Sequence, residues 1–181
     1  RISYQSIRRR AIRHWLLLCL RMAAVALIVT AFARPLLDSS AVTAFDRAGA
    51  REVVVLLDQS YSMGFSDRWE QAQAVARDVI DRLESFDRAS IVFFSESAEI
   101  QLRSTGERDR LNTIVDAAEP TDFATQYSPA LNVAGSILSE SSLPQREVVL
   151  ISDFQRSGWR GDHAELPGGS VVTPIAVTNG V

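Results

Sequence analysis

The sequence predicts an α/β fold: a doubly wound, mostly parallel sheet flanked by helices, preceded by one transmembrane helix. Three observations carry this reading. Val53-Val54-Val55-Leu56-Leu57 is an unbroken apolar run, which suits a strand covered by helices on both faces. Further strand-like runs follow, separated by stretches with helical spacing, and strands alternating with helices imply parallel pairing through right-handed crossovers. Finally, Trp15 to Leu37 is almost wholly apolar and follows a cluster of arginines.

Residues 1–14 form a basic segment with Arg8-Arg9-Arg10 and Arg13 directly ahead of Trp15. Residues 15–37 are long enough to span a hydrocarbon core of roughly 30 Å at about 1.5 Å per residue. Arg21 lies near the amino end, from which its side chain reaches back to the headgroups, and Arg34-Pro35 marks the far interface. Positive charge stays on the cytoplasmic side, so the amino end is expected in the cytoplasm and everything after Leu37 outside that membrane. Two other readings compete with the anchor. Ala31-Phe32-Ala33 after the apolar core Met22 to Phe32 resembles a signal-peptidase site, and the segment could be a buried helix of the globular domain.

Residues 38–50 are small and polar without periodicity and read as a linker. The globular domain is expected over 51–181. Its first strand is about Glu52 to Leu57. From Asp67 to Phe86, the residues Trp69, Ala72, Ala76, Val79, Ile80 and Leu83 recur at helical spacing, with charges on the other face. Ile91 to Phe94 is a second buried strand, and Ala98 to Leu102 is a short partner across the polar turn Ser95-Glu96-Ser97. Glu107 to Ala118 reads as a short helix that Glu119-Pro120 breaks. Tyr127 to Ser141 is a helix with Tyr127, Ala130, Leu131, Ala134, Ile137 and Leu138 facing inward. Arg146 to Ser152 and Val171 to Val177 are the remaining strands. The chain begins at Arg1 and stops soon after an apparent strand, so it reads as part of a longer protein whose last domain is cut short.

Composition narrows the function. The 181 residues include 19 basic and 22 acidic side chains. Seven of the arginines precede Asp38 and no acid does, so the remainder stands at −10. A globular part of that sign carries no basic face for nucleic acid. The single cysteine, Cys19, lies in the apolar segment, so no internal disulfide is available.

The first strand ends in Asp58-Gln59-Ser60-Tyr61-Ser62, which places three oxygen-bearing side chains at alternate positions. Ligands of open α/β sheets bind outside the carboxyl ends of the strands. Carboxylate and hydroxyl donors without nitrogen or sulfur suit a hard cation such as Mg²⁺. A turn in which Ser60 or Ser62 caps the next helix accounts for the same triplet. Two distant segments bear on the choice. Ala124-Thr125-Gln126-Tyr127-Ser128-Pro129-Ala130-Leu131 places a threonine ahead of a helix, and Arg146-Glu147-Val148-Val149-Leu150-Ile151-Ser152-Asp153 is a buried strand ending in an acid.

Together these segments resemble the von Willebrand factor type A (vWA) domain, a Rossmann-like fold with a metal-ion-dependent adhesion site, over roughly residues 51 to 177. The resemblance implies a site of Asp58, Ser60, Ser62, Thr125 and Asp153. It also implies Mg²⁺ as the ion, with Mn²⁺ or Ca²⁺ as alternatives. One departure is visible: Phe123 and Ala124 stand where the family often has two glycines, implying a tighter or differently shaped loop. The Ala-Arg-Pro end of the apolar segment, Leu57-Asp58-Gln59-Ser60-Tyr61-Ser62-Met63-Gly64 and Ser152-Asp153-Phe154-Gln155-Arg156-Ser157-Gly158-Trp159 further resemble membrane-anchored vWA proteins of bacterial aerotolerance (Bat-type) operons. That subgroup implies a single-pass protein of the bacterial inner membrane with an extracytoplasmic domain. It also implies a role in envelope stress tolerance and a functional link to a MoxR-type AAA+ ATPase.

In such sites one metal position stays open for an Asp or Glu carboxylate of a protein partner, so the expected function is binding and not catalysis. The strand-end aspartate is shared with metal-dependent phosphohydrolases. Here, however, no second acid follows Asp58 at two residues, and no lysine or neighbouring histidine offers a base. A structural vWA domain with an inactive metal site is a further alternative. His14 and His163 read as solvated and Trp69 as core. Tyr61 and Phe154 flank the site, and Trp159 suits either a partner contact or a loop anchor.

Overall fold

The computed structural model describes Trp15 and residues 18–25, 49–159 and 166–178. The chain divides into two units, Arg1–Ala44 and Phe45–Val181. In the first, residues 18–25 are helical and exposed, and the rest of the expected span Trp15 to Leu37 lies outside the described residues. No helix among the described residues is long and apolar enough to cross a membrane.

In the second unit, five strands form one sheet: β1 (Arg51–Asp58), β2 (Arg88–Phe94), β3 (Ala98–Thr105), β4 (Gln145–Ser152) and β5 (Ser170–Ala176), in spatial order β3-β2-β1-β4-β5. β1 pairs in parallel with β2 and β4, and β4 in parallel with β5, while β3 closes one edge antiparallel to β2. Three helices flank the sheet: α1 (Arg68–Asp81), α2 (Arg108–Asp116) and α3 (Tyr127–Glu140).

Alternation along the strands sorts the core into two layers. Val53, Val55, Leu57, Ile91 and Ile151 point to one face and pack with Trp69, Ala72, Ala76, Ile80, Leu111 and Val115 from α1 and α2. Val54, Leu56, Val92, Phe94, Val148 and Leu150 point to the other and pack with Tyr127, Ala130, Ala134, Ile137 and Leu138 of α3. A strand sandwiched in this way needs apolar residues at every position, hence the unbroken apolar run in β1.

Helix α1 ends five residues before the boundary expected from its periodicity. The Asp87 carboxylate accepts the backbone N–H of Glu84 at 3.0 Å, and Asp87 N–H bonds the Glu84 carbonyl at 3.1 Å. This turn competes with the helix, and Leu83 still enters the core from it. The chain passes from β1 to β2 on one side, then crosses to β4 on the other. Strand order therefore reverses at β1 and β4, and their carboxyl ends frame the crevice where α/β sheets bind ligands.

Candidate functional site

Three loops meet at that crevice. The first leaves β1 at Asp58 and enters a 3-10 turn, Tyr61–Gly64. The second is residues 119–126, between α2 and α3. It is tied to the first by Thr121 N–H and Oγ1 on the Gln59 carbonyl (2.6 and 2.8 Å) and by Tyr61 N–H on the Phe123 carbonyl (2.8 Å). The third leaves β4 at Ser152. Phe123 and Ala124 are thus accommodated without drawing Thr125 away.

Asp58, fully buried, is the centre. Its Oδ1 accepts the Ser60 N–H at 2.8 Å, and its Oδ2 accepts the Ser152 hydroxyl at 2.5 Å, with Thr125 Oγ1 at 3.3 Å. The hydroxyls form a chain: Thr125 Oγ1 lies 2.6 Å from Ser60 Oγ, which lies 3.1 Å from Ser62 Oγ. Neither serine caps a helix. Ser60 makes no side-chain capping bond to the 3-10 turn, and the residue preceding α1 is Asp67. Their oxygens are turned inward to one another instead.

Asp153 reaches the same crevice from β4. The Arg68 guanidinium donates to Asp153 Oδ2 at 2.9 Å and to the Ser62 carbonyl at 3.0 Å, and Gln155 Nε2 donates to Oδ2 at 3.1 Å. Phe154, immediately after, has φ +52°, a left-handed conformation that is strained for a bulky side chain. Stacking of its ring on Tyr127, centroids 6.0 Å apart, helps hold that turn.

Burial pushes the Asp58 carboxyl above its ordinary range, and the Asp153 charge adds to the push. The Ser152 and Ser60 bonds pull the other way. Removal from water is thus the main cause, ahead of the carboxylate repulsion expected from the strand ends. Tyr127 is pushed up to about 12, chiefly by burial, with Asp58 and Asp153 contributing. With the Ser152 proton committed to Asp58, Tyr127 Oη donates to Ser152 Oγ at 3.1 Å, and Phe154 N–H donates to the same oxygen at 3.2 Å.

The five residues expected from sequence therefore lie in three adjoining loops, and four of them share one hydrogen-bonded cluster. The donor set suits a hard divalent cation: two carboxylates and three hydroxyls, no nitrogen, no sulfur. One atom has an unmet need that a cation satisfies. Asp153 Oδ1 is buried without a hydrogen-bond partner, an arrangement that is costly for a carboxylate oxygen. Among the described residues no cluster of three or more His, Cys, Asp or Glu side chains is placed to hold a metal. The ligand set here depends on hydroxyls and falls outside that pattern.

Three supporting residues escaped sequence reasoning. Ser152 faces Asp58 from the neighbouring strand, a placement that only strand register reveals. Arg68 carries no local signal. Gly158 does: a Cβ there would lie 2.7 Å from Tyr127 Cε2 and 3.1 Å from the Thr125 carbonyl, so only glycine lets the third loop close against the second. Trp159 does two things at once. Its ring lies 4.5 Å from that of Tyr127, and 56% of the residue remains exposed.

Comparison with known proteins agrees with this geometry. The model of the von Willebrand factor type A domain matches residues 53–155, and that of the aerotolerance regulator N-terminal region matches residues 1–35. No curated protein matches. Among solved structures, an aerotolerance-related membrane protein from Bacteroides fragilis superposes with TM-score 0.59 at 21% identity, over 71% of this chain and 68% of that one. Proximal thread matrix protein 1 of the mussel byssus, with a zinc-occupied metal-ion-dependent adhesion motif, gives 0.59 at 19% identity, over 72% and 36%. Three N-terminal domains of the pilus tip protein Mfa5 from Porphyromonas gingivalis give 0.53 at 21% identity, over 57% of this chain but 20% of theirs. These likenesses establish the fold. The family match spans more than half of the sequence, so the chain belongs to the von Willebrand factor type A domain family and resembles its Bat-type aerotolerance members.

Proposed function

We propose that the domain over residues 51–181 binds a protein partner through a divalent cation, Mg²⁺ by preference, held by Asp58, Ser60, Ser62, Thr125 and Asp153. The observation that carries this is the buried, unpartnered Asp153 Oδ1 beside a cluster of hydroxyls that caps no helix. When bound, the cation supplies a point of positive charge that accepts a carboxylate oxygen from outside. The globular part stands at −10, so long-range attraction to an acidic partner is unfavourable, and recognition must be local. The zinc-occupied motif of the mussel protein supports a divalent ion as the class. Mg²⁺ rather than zinc follows from the all-oxygen donors.

Residues 15–37 anchor the domain, residues 1–14 lie in the cytoplasm and 38–50 form the linker, so the domain works on the outer side of the bacterial inner membrane. The arginine distribution and the match of residues 1–35 support this placement. Envelope stress tolerance is the matching role, with a MoxR-type AAA+ ATPase acting in the same process. The reading contains no catalytic step.

Titration of Mg²⁺ into the full chain in detergent, followed by calorimetry, tests the site. Asp58→Asn keeps the shape and removes the charge, and should abolish the binding heat while the circular dichroism stays native. Wild-type affinity in that variant would place the metal elsewhere.

A further inference from the structure

The loops that carry the hydroxyls also carry exposed aromatic rings. Tyr61, Phe65 and Phe123 are 57%, 51% and 57% exposed, and none belongs to the core. Tyr61 and Phe65 meet edge to face with centroids 5.0 Å apart, and the Tyr61 backbone is bonded to that of Phe123, so the three are held as a unit. They form one wall of a cavity of about 450 Å³ whose other wall includes Ser60, Ser62 and Thr125. On the far side of the Tyr61–Phe65 pair a second hollow of about 290 Å³ continues to Pro120 and Asp122. Folding gains nothing from leaving three large rings in water. Clustered exposed aromatics around a polar centre mark a contact surface, and tyrosine is enriched among the residues that dominate binding.

We propose that this aromatic rim selects the partner segment: an extended stretch with a single Asp or Glu flanked at two residues' distance by a large aliphatic side chain. The proposal rests on the metal reading above and specifies what that site recognises. In an extended chain, residues two apart point the same way, about 7 Å from one another, so an acid directed at the hydroxyl wall puts its neighbour on the rings. Charge decides against a polyacidic segment. Asp122 lines the same cavity, and the Arg68 guanidinium in its wall is already held by Asp153 and the Ser62 carbonyl. One carboxylate finds a place, and further acids meet repulsion.

The test uses three capped peptides on the full chain in detergent with Mg²⁺: Leu-Gly-Asp-Gly-Leu, Ser-Gly-Asp-Gly-Ser and Leu-Gly-Asn-Gly-Leu. The first should bind at least tenfold tighter than the second. Phe65→Ser and Phe123→Ser, made singly at exposed positions, should each weaken the leucine peptide at least threefold while leaving the Mg²⁺ titration and the serine peptide unchanged. Equal affinity for leucine and serine peptides, including no binding of either, overturns the proposal. So does a leucine preference that survives both substitutions, or rim-dependent self-association in sedimentation, which assigns the rim to a second copy. Failure of the metal reading shows separately: the Asn peptide would then match the Asp peptide, or EDTA would have no effect, while the leucine preference and its loss in the variants persist.

Discussion

Gly158→Ala is the sharpest test of how the site is assembled. The new methyl carbon would lie 2.7 Å from Tyr127 Cε2, about 1 Å inside a comfortable carbon–carbon contact. It would also lie 3.1 Å from the Thr125 carbonyl. Neither neighbour yields easily. Tyr127 is fully buried, its ring lies within 6.0 Å of those of Phe94 and Phe154 and 4.5 Å from that of Trp159, and its hydroxyl is bonded to Ser152. Thr125 is held by the hydroxyl chain. Overpacking of this kind costs about 1–3 kcal/mol, and the pinned ring argues for the upper half of that range. For a domain of this size the melting temperature should fall by roughly 10 °C. The loop can relieve the clash only by drawing back from Thr125, so Mg²⁺ affinity should fall as well. Thermal melts and a Mg²⁺ titration on the full chain report both. Gly168→Ala is the control, because a Cβ there meets nothing within 4 Å. A Gly158→Ala protein that melts within about 2 °C of wild type, with unaltered metal affinity, would refute the reasoning from close packing.

Three further outcomes are expected. Asp87→Asn should destabilise the fold by about 2 kcal/mol at neutral pH, since the carboxylate accepts Arg51 N–H, Arg51 Nε and Glu84 N–H at 2.9–3.0 Å. Burial raises the Asp87 pKa, but those donors outweigh it and the net value is lowered. Its contribution is therefore present above the unfolded value of 3.8 and lost as pH falls through the folded one, so the mutant and wild-type melting curves should converge in acid. Asp58 has the opposite sign. With its folded pKa raised, its contribution is full below 3.8 and lost as pH rises through the folded value, so in EDTA the melting temperature of Asp58→Asn relative to wild type should climb with pH; a constant difference would contradict the burial argument. Protease added to intact spheroplasts should digest the domain, and protection until lysis would reverse the proposed topology.

Much of the fold was legible because burial on both faces leaves a plain mark. β1, β2 and β4 are covered by helices and are spelled in apolar runs, and α1 and α3 show their inward faces at helical spacing. Where legibility failed, a local polar contact had overridden periodicity. Leu83 continues the α1 pattern, yet the Asp87 turn takes the chain out of the helix before it. The edge strand β5 was recognised despite its exposure, with Val171 and Val172 largely in solvent, because β-branched residues suit a strand even where burial does not demand them.

The site shows the reverse pattern: its primary donors were legible and their support was not. Asp58, Ser60 and Ser62 are contiguous, and Thr125 and Asp153 each sit at the boundary of an element that can be read from sequence. What holds them depends on register and on approach in space. Ser152 donates to Asp58 because β1 and β4 pair in parallel with Leu57 opposite Ile151, which brings the next residues of each strand together. Arg68 stands ten residues after Asp58, yet it reaches across to Asp153 and changes the electrostatics expected of two strand-end carboxylates. With one acid paired to a guanidinium, repulsion between the two becomes a minor contribution, and the cost of the site falls on burying Asp58. That cost is what a cation relieves. The Asp153 oxygen that the guanidinium does not satisfy is the one left without a donor, so the same arginine that steadies the acid also leaves it half-coordinated. An Arg68→Met substitution separates the two roles. If the guanidinium chiefly orients Asp153, Mg²⁺ affinity drops on its removal; if it chiefly competes with the cation, affinity rises. The geometry favours orientation, because the Ser62 carbonyl and Oδ2 hold the guanidinium from two loops at once. A rise in Mg²⁺ affinity measured by calorimetry would reverse that assignment.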